Sequence, residues 1–405
     1  MRVMIADSLP DAARSRLQGA GFEVVVEAGL SGDALVDAMA RHAPDVLVVR
    51  STKVTAAHFA AAPSVQLVVR AGAGVNTIDI AAASARGVFV TNCPGMNAVA
   101  VAELAMGHLL NADRRIADNV ADLRAGRWRK KEYGKGRGLK GRTLGVIGVG
   151  SIGRAVIARA LAFEMQVLAW SPSLDDAAAE VLGVERGASP EAVARRADAV
   201  TVHVALTVAT RGFIGRAFFE AMRPGAIFVN TSRGEVVDEG ALADAVRTSG
   251  IRAGLDVFAD EPAGDAADGW VCAISDLPGV YGTHHIGAST AEAQDAVAFE
   301  ACRLIEAWAA TGSAPNTVNL ARKTHATHLL VARHADRVGV LAGILVQLRE
   351  ARINVQQMEN VIFAGAGAAA CARIQVGARP DEALLAALRA DDAVYDVKLV
   401  ELPST

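Results

Sequence analysis

Three polar stretches interrupt a chain otherwise rich in alanine and valine: NTSRGEVVDEG (230–240), LDVFADEP (255–262) and THHIGAST (283–290). Together they offer a guanidinium, several carboxylates and two imidazoles, the groups that orient an anion and move a proton near neutral pH. His284 and His285 are adjacent, and neighbouring side chains of an extended segment point to opposite faces. At most one of them can serve a given site, and spacing leaves open which. A fourth stretch, GVGSIG (148–153), spaces Gly148, Gly150 and Gly153 as G-x-G-x-x-G, with a strand-like run before it and a helical run after it. In that setting Gly148 permits a tight turn, Gly150 lets a pyrophosphate approach the backbone, and Gly153 lets helix and strand pack closely. Ser151 and Ile152 lie in the same turn, which predicts dinucleotide binding.

The elements that must position these residues alternate regularly. RVMIA, EVVV, DVLVV, VQLVV and GVFV are strand candidates within residues 1–90, separated by helical stretches at 10–19, 31–42 and 55–62. A second series holds LGVIG, QVLAW, AVTVHV, AIFVN, AGLDVF and GVYGT. This βα rhythm predicts two doubly wound parallel sheets, an α/β fold. Long helices are expected over 98–125 and 289–311, one leaving the first unit and one returning to it. The first domain is therefore discontinuous, 1–98 with 291–320, around a nucleotide-binding domain at 99–290. Beyond the linker SAPNTVNL, residues 326–405 spell β-α-β-β-α-β, the ferredoxin-like order.

Composition narrows the function classes. The formal net charge of −3 over 405 residues gives no reason to expect nucleic acid or an acidic membrane as partner. One stretch departs from this balance: residues 123–142 carry nine basic residues and one glutamate, a solvated arm or subunit contact, or else an anion patch. No run is apolar enough to span a membrane. MRVMIADSLP reads as a strand start rather than a signal peptide, and Cys93, Cys272, Cys302 and Cys371 form no C-x-x-C pair. A reducing, cytoplasmic setting is expected. No residue cluster suggests a metal.

The three polar stretches, with RAGAGVNTID (70–79) and TNCPGMNAVAVAELAMG (91–107), resemble the D-isomer-specific 2-hydroxyacid dehydrogenases over essentially residues 1–320. The third unit is similar to an ACT domain, through RHADRVGVLAGIL and INVQQMEN. The resemblance implies two Rossmann-like domains and a nicotinamide cofactor. Carried over motif by motif, it places the family's arginine on Arg233, its glutamate on Glu261 and its histidine on His285. His284 stands where the family usually has proline. His285 would then exchange the proton of the substrate's 2-oxygen, Glu261 would favour the imidazolium, and Arg233 would clamp the carboxylate. Asp256 matches a family aspartate near the nicotinamide carboxamide, and Thr231 is a further cofactor candidate. The acidic residue usual at the tip of the second nucleotide-binding strand is replaced by Ser171. NAD is expected, with NADP left open.

Arg50 in VVRSTKVT and Arg70 in VVRAGAG each follow a strand directly and face the cleft of a doubly wound unit. They suit a second, dianionic group such as phosphate, with the backbone of Gly72, Ala73 and Gly74 receiving the carboxylate; the alternative is that both arginines pair with nearby acids. With the ACT-like domain, the pattern implies oxidation of 3-phospho-D-glycerate to 3-phosphooxypyruvate, a step of serine synthesis. A glyoxylate or hydroxypyruvate reductase is the alternative on the same scaffold, and a non-catalytic NAD-sensing interaction protein is the alternative of another class. The resemblance also implies a homodimer or homotetramer. It suggests L-serine or another amino acid as effector, at His334, Asp336 and Asn354.

Overall fold

The computed structural model describes residues 1–262, 269–321, 323–365 and 367–403. The first sheet is parallel and contains β1 (Arg2–Ile5), β2 (Glu23–Val26), β3 (Val46–Val49), β4 (Leu67–Arg70) and β5 (Phe89–Asn92) in the order β2-β1-β3-β4-β5. The central β3, VLVV, is buried along its whole length, as a parallel strand covered on both faces must be. The second sheet is also parallel and has seven strands. They are β6 (Thr143–Ile147), β7 (Gln166–Trp170), β8 (Glu185–Arg186), β9 (Ala199–Val202), β10 (Ile227–Asn230), β11 (Arg252–Leu255) and β12 (Val280–Gly282), in the order β12-β11-β10-β9-β6-β7-β8. Strand order reverses at β1/β3 in the first sheet and at β6/β9 in the second, and such switch points open the crevices in which doubly wound sheets bind ligands.

Two long helices join the lobes. Ala98–Arg114 lays Ala102, Ala105 and Leu109 against the second sheet, while Ala291–Thr311 returns to bury Ala298, Ala301, Leu304 and Ile305 against the first. The first helix is shorter than the 98–125 expected. Arg115 adopts a left-handed backbone (φ 52°), and a separate helix runs from Ile116 to Arg124. Tertiary charge makes the break: Arg115 bonds Asp118 at 2.9 Å and Glu132 at 2.5 Å, and Asn111 Oδ1 accepts from Ala117 N–H. In the basic stretch that follows, six of the nine basic residues are ion-paired, which favours an arm over an anion patch. Arg127 and Arg129 pair with Asp122, Lys135 with Glu132, Arg137 with Asp198, Lys140 with Glu164 and Arg142 with Asp113.

Residues Leu320–Thr405 form a second compact unit, apart from Met1–Asn319. Its antiparallel sheet holds β13 (His328–Ala335), β14 (Val355–Ile362), β15 (Ala369–Val376) and β16 (Val394–Glu401) in the order β14-β15-β13-β16. Helices Val340–Glu350 and Glu382–Arg389 cover one face through Ile344, Leu348, Leu385 and Leu388, which completes the ferredoxin-like arrangement. The edge strand β14 leaves Met358, Val361 and Ile362 exposed. Among the described residues no helix is long and apolar enough to cross a membrane.

Candidate active site

The glycine turn is built as its spacing requires. Gly148 has φ 97°, and a Cβ there would strike the carbonyl of His203; a Cβ on Gly153 would strike the carbonyl of Gly148. Helix Ser151–Ala162 begins directly after Gly150, with Ile152 packed on the core. Two polar atoms at the carboxyl ends of neighbouring strands are enclosed without a partner: Thr231 Oγ1 after β10 and His203 Nδ1 after β9. Enclosure holds the His203 imidazole well below its usual range, hence neutral. Glycines that clear the backbone and orphaned polar atoms fit a dinucleotide. Ser171 directly follows β7 and carries no charge, while beyond it Asp175 caps and Asp176 opens the helix Asp176–Leu182; Arg186 is engaged by Leu174 O and Asp176.

The acid/base corner comes from three loops on the second sheet. His285 Nδ1 lies 2.7 Å from Glu261 Oε2. Burial alone would raise the Glu261 carboxyl. Hydrogen bonds from His285 and from Phe258 N–H, with the charges of His285 and Arg233, reverse this and hold it below its usual range. His285 itself has a left-handed backbone (φ 51°), uncommon for a non-glycine residue although histidine adopts it more readily than most. Asp256 holds that turn. Its carbonyl accepts from His285 N–H, Oδ1 from Thr283 Oγ1 and Ile286 N–H, and Oδ2 from Gly287 N–H. In this conformation both carboxylate oxygens of Asp256 are engaged by the histidine loop. His284 is exposed beside it.

Arg233 stands on the turn after β10. Asn230 shapes that turn, donating to Arg233 O and accepting from both Ser232 N–H and Ser232 Oγ. The next residue has to be glycine, because a Cβ on Gly234 would overlap the Phe258–Ala259 backbone of the loop that carries Glu261. Glu239 grips the same loop by accepting from Ala259 N–H at 2.7 Å. Asn230, Glu239 and Asp256's grip on the loop were not legible as working parts; the N-x-x-R and R-G spacings were the only local signals.

Facing this corner is the loop after β4. A Cβ on Gly74 would lie 2.5 Å from Arg233 Nη2, and one on Gly72 would collide with Arg70. Those two glycines, with Ala73 between them, thus bring the first lobe against Arg233. Burial, together with the charges of Arg233 and Arg50, pushes Arg70 down to about 10. Among the described residues none of Arg50, Arg70 and Arg233 has a carboxylate ion-pair partner, and Arg70 Nε is buried without any acceptor. Asp7, whose charge reaches Arg70, is engaged otherwise: it accepts from the N–H groups of Arg50, Ser51 and Thr52 and from Ser51 Oγ.

Among the described residues no hydrogen bond joins the three effector candidates to one another. His334 is buried, with Nε2 3.1 Å from Asn360 Oδ1 and Nδ1 2.8 Å from Ala335 O, whereas Asp336 and Asn354 are exposed on loops. Asn360, not Asn354, is the asparagine that His334 meets.

Residues 106–296 match the family described as D-isomer specific 2-hydroxyacid dehydrogenase, NAD binding domain. The chain is 40% identical to a D-3-phosphoglycerate dehydrogenase of Methanocaldococcus jannaschii over 79% of its own length, yet it spans only 60% of that relative. A hydroxypyruvate reductase of Thermotoga maritima is 43% identical over 63% of this chain and 82% of its own. Among solved structures, NAD+-bound 3-phosphoglycerate dehydrogenase of Entamoeba histolytica superposes with a TM-score of 0.66 at 25% identity, covering 79% of this chain and 99% of the other. With glycine turn, arginine, glutamate and histidine all in place, the chain belongs to the D-isomer-specific 2-hydroxyacid dehydrogenase family.

Proposed function

We propose that the protein oxidises 3-phospho-D-glycerate to 3-phosphooxypyruvate with NAD. The observation that carries this is the set of three guanidinium groups, Arg50, Arg70 and Arg233, left without carboxylates around the Gly72–Gly74 loop. A 2-hydroxy acid needs one such cation for its carboxylate. Two more match a phosphate dianion, which a planar fork binds through paired hydrogen bonds. The bound cofactor supplies the hydride acceptor. His285 takes the proton of the 2-hydroxyl as the hydride leaves C2, and Glu261 at 2.7 Å stabilises the resulting imidazolium. Arg233 orients the carboxylate and the 2-oxygen. NAD is favoured over NADP, because Asp175 and Asp176 follow Ser171 where a 2′-phosphate would need cations. Hydroxypyruvate reduction is the second reading, favoured by the identity to the Thermotoga maritima enzyme.

The C-terminal unit is proposed to join copies of the chain into a homodimer or homotetramer. Exposed Met358, Val361 and Ile362 on the edge strand β14 suit the addition of a neighbour's strand. The effector role of His334, Asp336 and Asn354, toward L-serine or another amino acid, is part of the same proposal. The four cysteines are unpaired, in keeping with the cytoplasm as the site of the reaction. Initial rates with NADH and NADPH against 3-phosphohydroxypyruvate, hydroxypyruvate and glyoxylate test the assignment. The expected result is highest kcat/KM for NADH with the phosphorylated substrate. Equal rates with hydroxypyruvate would transfer the assignment to the reductase.

A further inference from the structure

His108 lies outside all the motifs above, on the middle of helix Ala98–Arg114, and is only 4% exposed. Its Nε2 is 3.1 Å from Thr283 Oγ1. Thr283 Oγ1 gives its own proton to Asp256 Oδ1 at 2.6 Å, so its lone pair receives the N–H of His108. From Asp256 the chain of contacts runs directly into the catalytic loop: Ile286 N–H to Oδ1, Gly287 N–H to Oδ2 and His285 N–H to the Asp256 carbonyl. The helix can bring residue 108 this close to β11 because residue 254 has no side chain. A Cβ on Gly254 would lie 2.5 Å from His108 Cβ and 2.8 Å from Cγ. The same helix also touches the loop by packing, since a Cβ on Gly287 would meet Val101 and Leu104 at 3.4 and 3.7 Å.

We infer that His108 is a positioning residue: through Thr283 and Asp256 it fixes the left-handed turn that aims His285 at the substrate. A left-handed histidine costs conformational energy and persists only where its surroundings over-determine it. Asp256 supplies that determination, and Thr283 can hold one Asp256 oxygen in register only if its hydroxyl is itself oriented. The N–H of His108 does the orienting. Burial lowers the imidazole below its usual range, against the pull of Asp256, so the group acts as a neutral donor. The helix that carries it leaves the loop after β5, whose Gly95 abuts Ser151 of the glycine turn, so one rigid element links cofactor turn and proton-transfer loop.

The inference rests on His285 as the proton-transfer group, and its test has a readout independent of turnover. In the full-length protein, His108→Leu removes the donor, His108→Gln keeps an N–H near the Nε2 position, and Thr283→Val removes the link. Hydrogen exchange at Ile286 and Gly287 is expected to accelerate in His108→Leu and Thr283→Val and to return towards wild type in His108→Gln. kcat falls about five- to tenfold in His108→Leu, the size of one lost hydrogen bond, with little change in either KM. Adding His108→Leu to Thr283→Val should cost nothing further. Unchanged exchange at 286–287, or losses that multiply in the double variant, overturns the inference. A wild-type enzyme that turns over no 2-oxo acid would instead overturn the proposed function, and the exchange data would still decide whether His108 holds the loop. If His108→Leu does not fold, His108→Gln against Thr283→Val carries the comparison.

Discussion

The two walls of the cleft treat charge in opposite ways. On the histidine side the acidic groups are satisfied: Glu261 by His285 and Phe258 N–H, Asp256 by three donors, Glu239 by Ala259 N–H. On the arginine side, Arg50, Arg70 and Arg233 gather with no carboxylate ion pair among the described residues, and Arg70 is pushed down to about 10 by burial and by the other two. Closed networks hold geometry, whereas open ones hold free energy that a ligand can release. The first wall is built to aim an imidazole and the second to receive an anion.

The largest effect should come from breaking the closed wall at its tip. His285→Ala is expected to lower kcat about 1,000-fold, within the range usual for removing a general acid/base, while the dissociation constant for NADH measured by fluorescence stays near wild type. Turnover kept at neutral pH would remove the imidazole from the chemistry.

Breaking the open wall should act on substrate choice. Arg50→Ala combined with Arg70→Ala should cut kcat/KM for the phosphorylated substrate about 100-fold, as expected for lost charge-assisted bonds, and leave hydroxypyruvate within a few-fold. Equal losses on both substrates would dismiss the phosphate site.

A smaller effect separates the walls by pH. The Glu261 carboxyl lies below its ordinary 4.5 in the folded chain, so its contribution to stability is present above about 4.5 and is lost as pH falls through the depressed value. Urea unfolding of wild type and Glu261→Gln should differ at pH 6–7, with the gap closing as pH drops below 4.5. A gap constant from pH 3 to 7 contradicts the pairing.

The smallest effect has the opposite sign. Because Arg70 is charged at a cost to the fold, Arg70→Met should raise the melting temperature by about 2 °C in an anion-free buffer. Inorganic phosphate should raise it in the wild type and not in the variant. A variant that melts lower in both buffers would mean that Arg70 stabilises the fold after all.

The catalytic chemistry was legible in the sequence because Arg233, Glu261 and His285 sit inside short motifs with fixed spacing. The glycine turn was legible for the same reason, and the strand series because buried β-branched runs are hard to hide. Strand ends moved by a residue or two, as with β4, where the apolar run VQLVV starts before the ladder does and Arg70 extends it. The break at Arg115 was not legible. Apolar periodicity continues through Ile116, Val120 and Leu123, and only the distant Glu132 together with Asp118 makes the left-handed turn favourable. His108, Asn230 and Glu239 were hidden likewise, since each matters through a partner chosen by tertiary placement. The pairing of the basic arm also depends on acids far along the chain, Asp113 and Asp198 among them.

The missing side chain at Gly254 has an evolutionary consequence. Positions 254 and 108 share one volume, and the overlap begins at the Cβ of position 108, so an alanine at 254 requires the helix to withdraw from β11 or lose its own Cβ there. Any lineage that gains the methyl must re-seat that helix, and with it the imidazole, or find another way to tether Thr283. The two sites should therefore drift as a pair, and a library that randomises them together will recover active clones that two single-site libraries would miss.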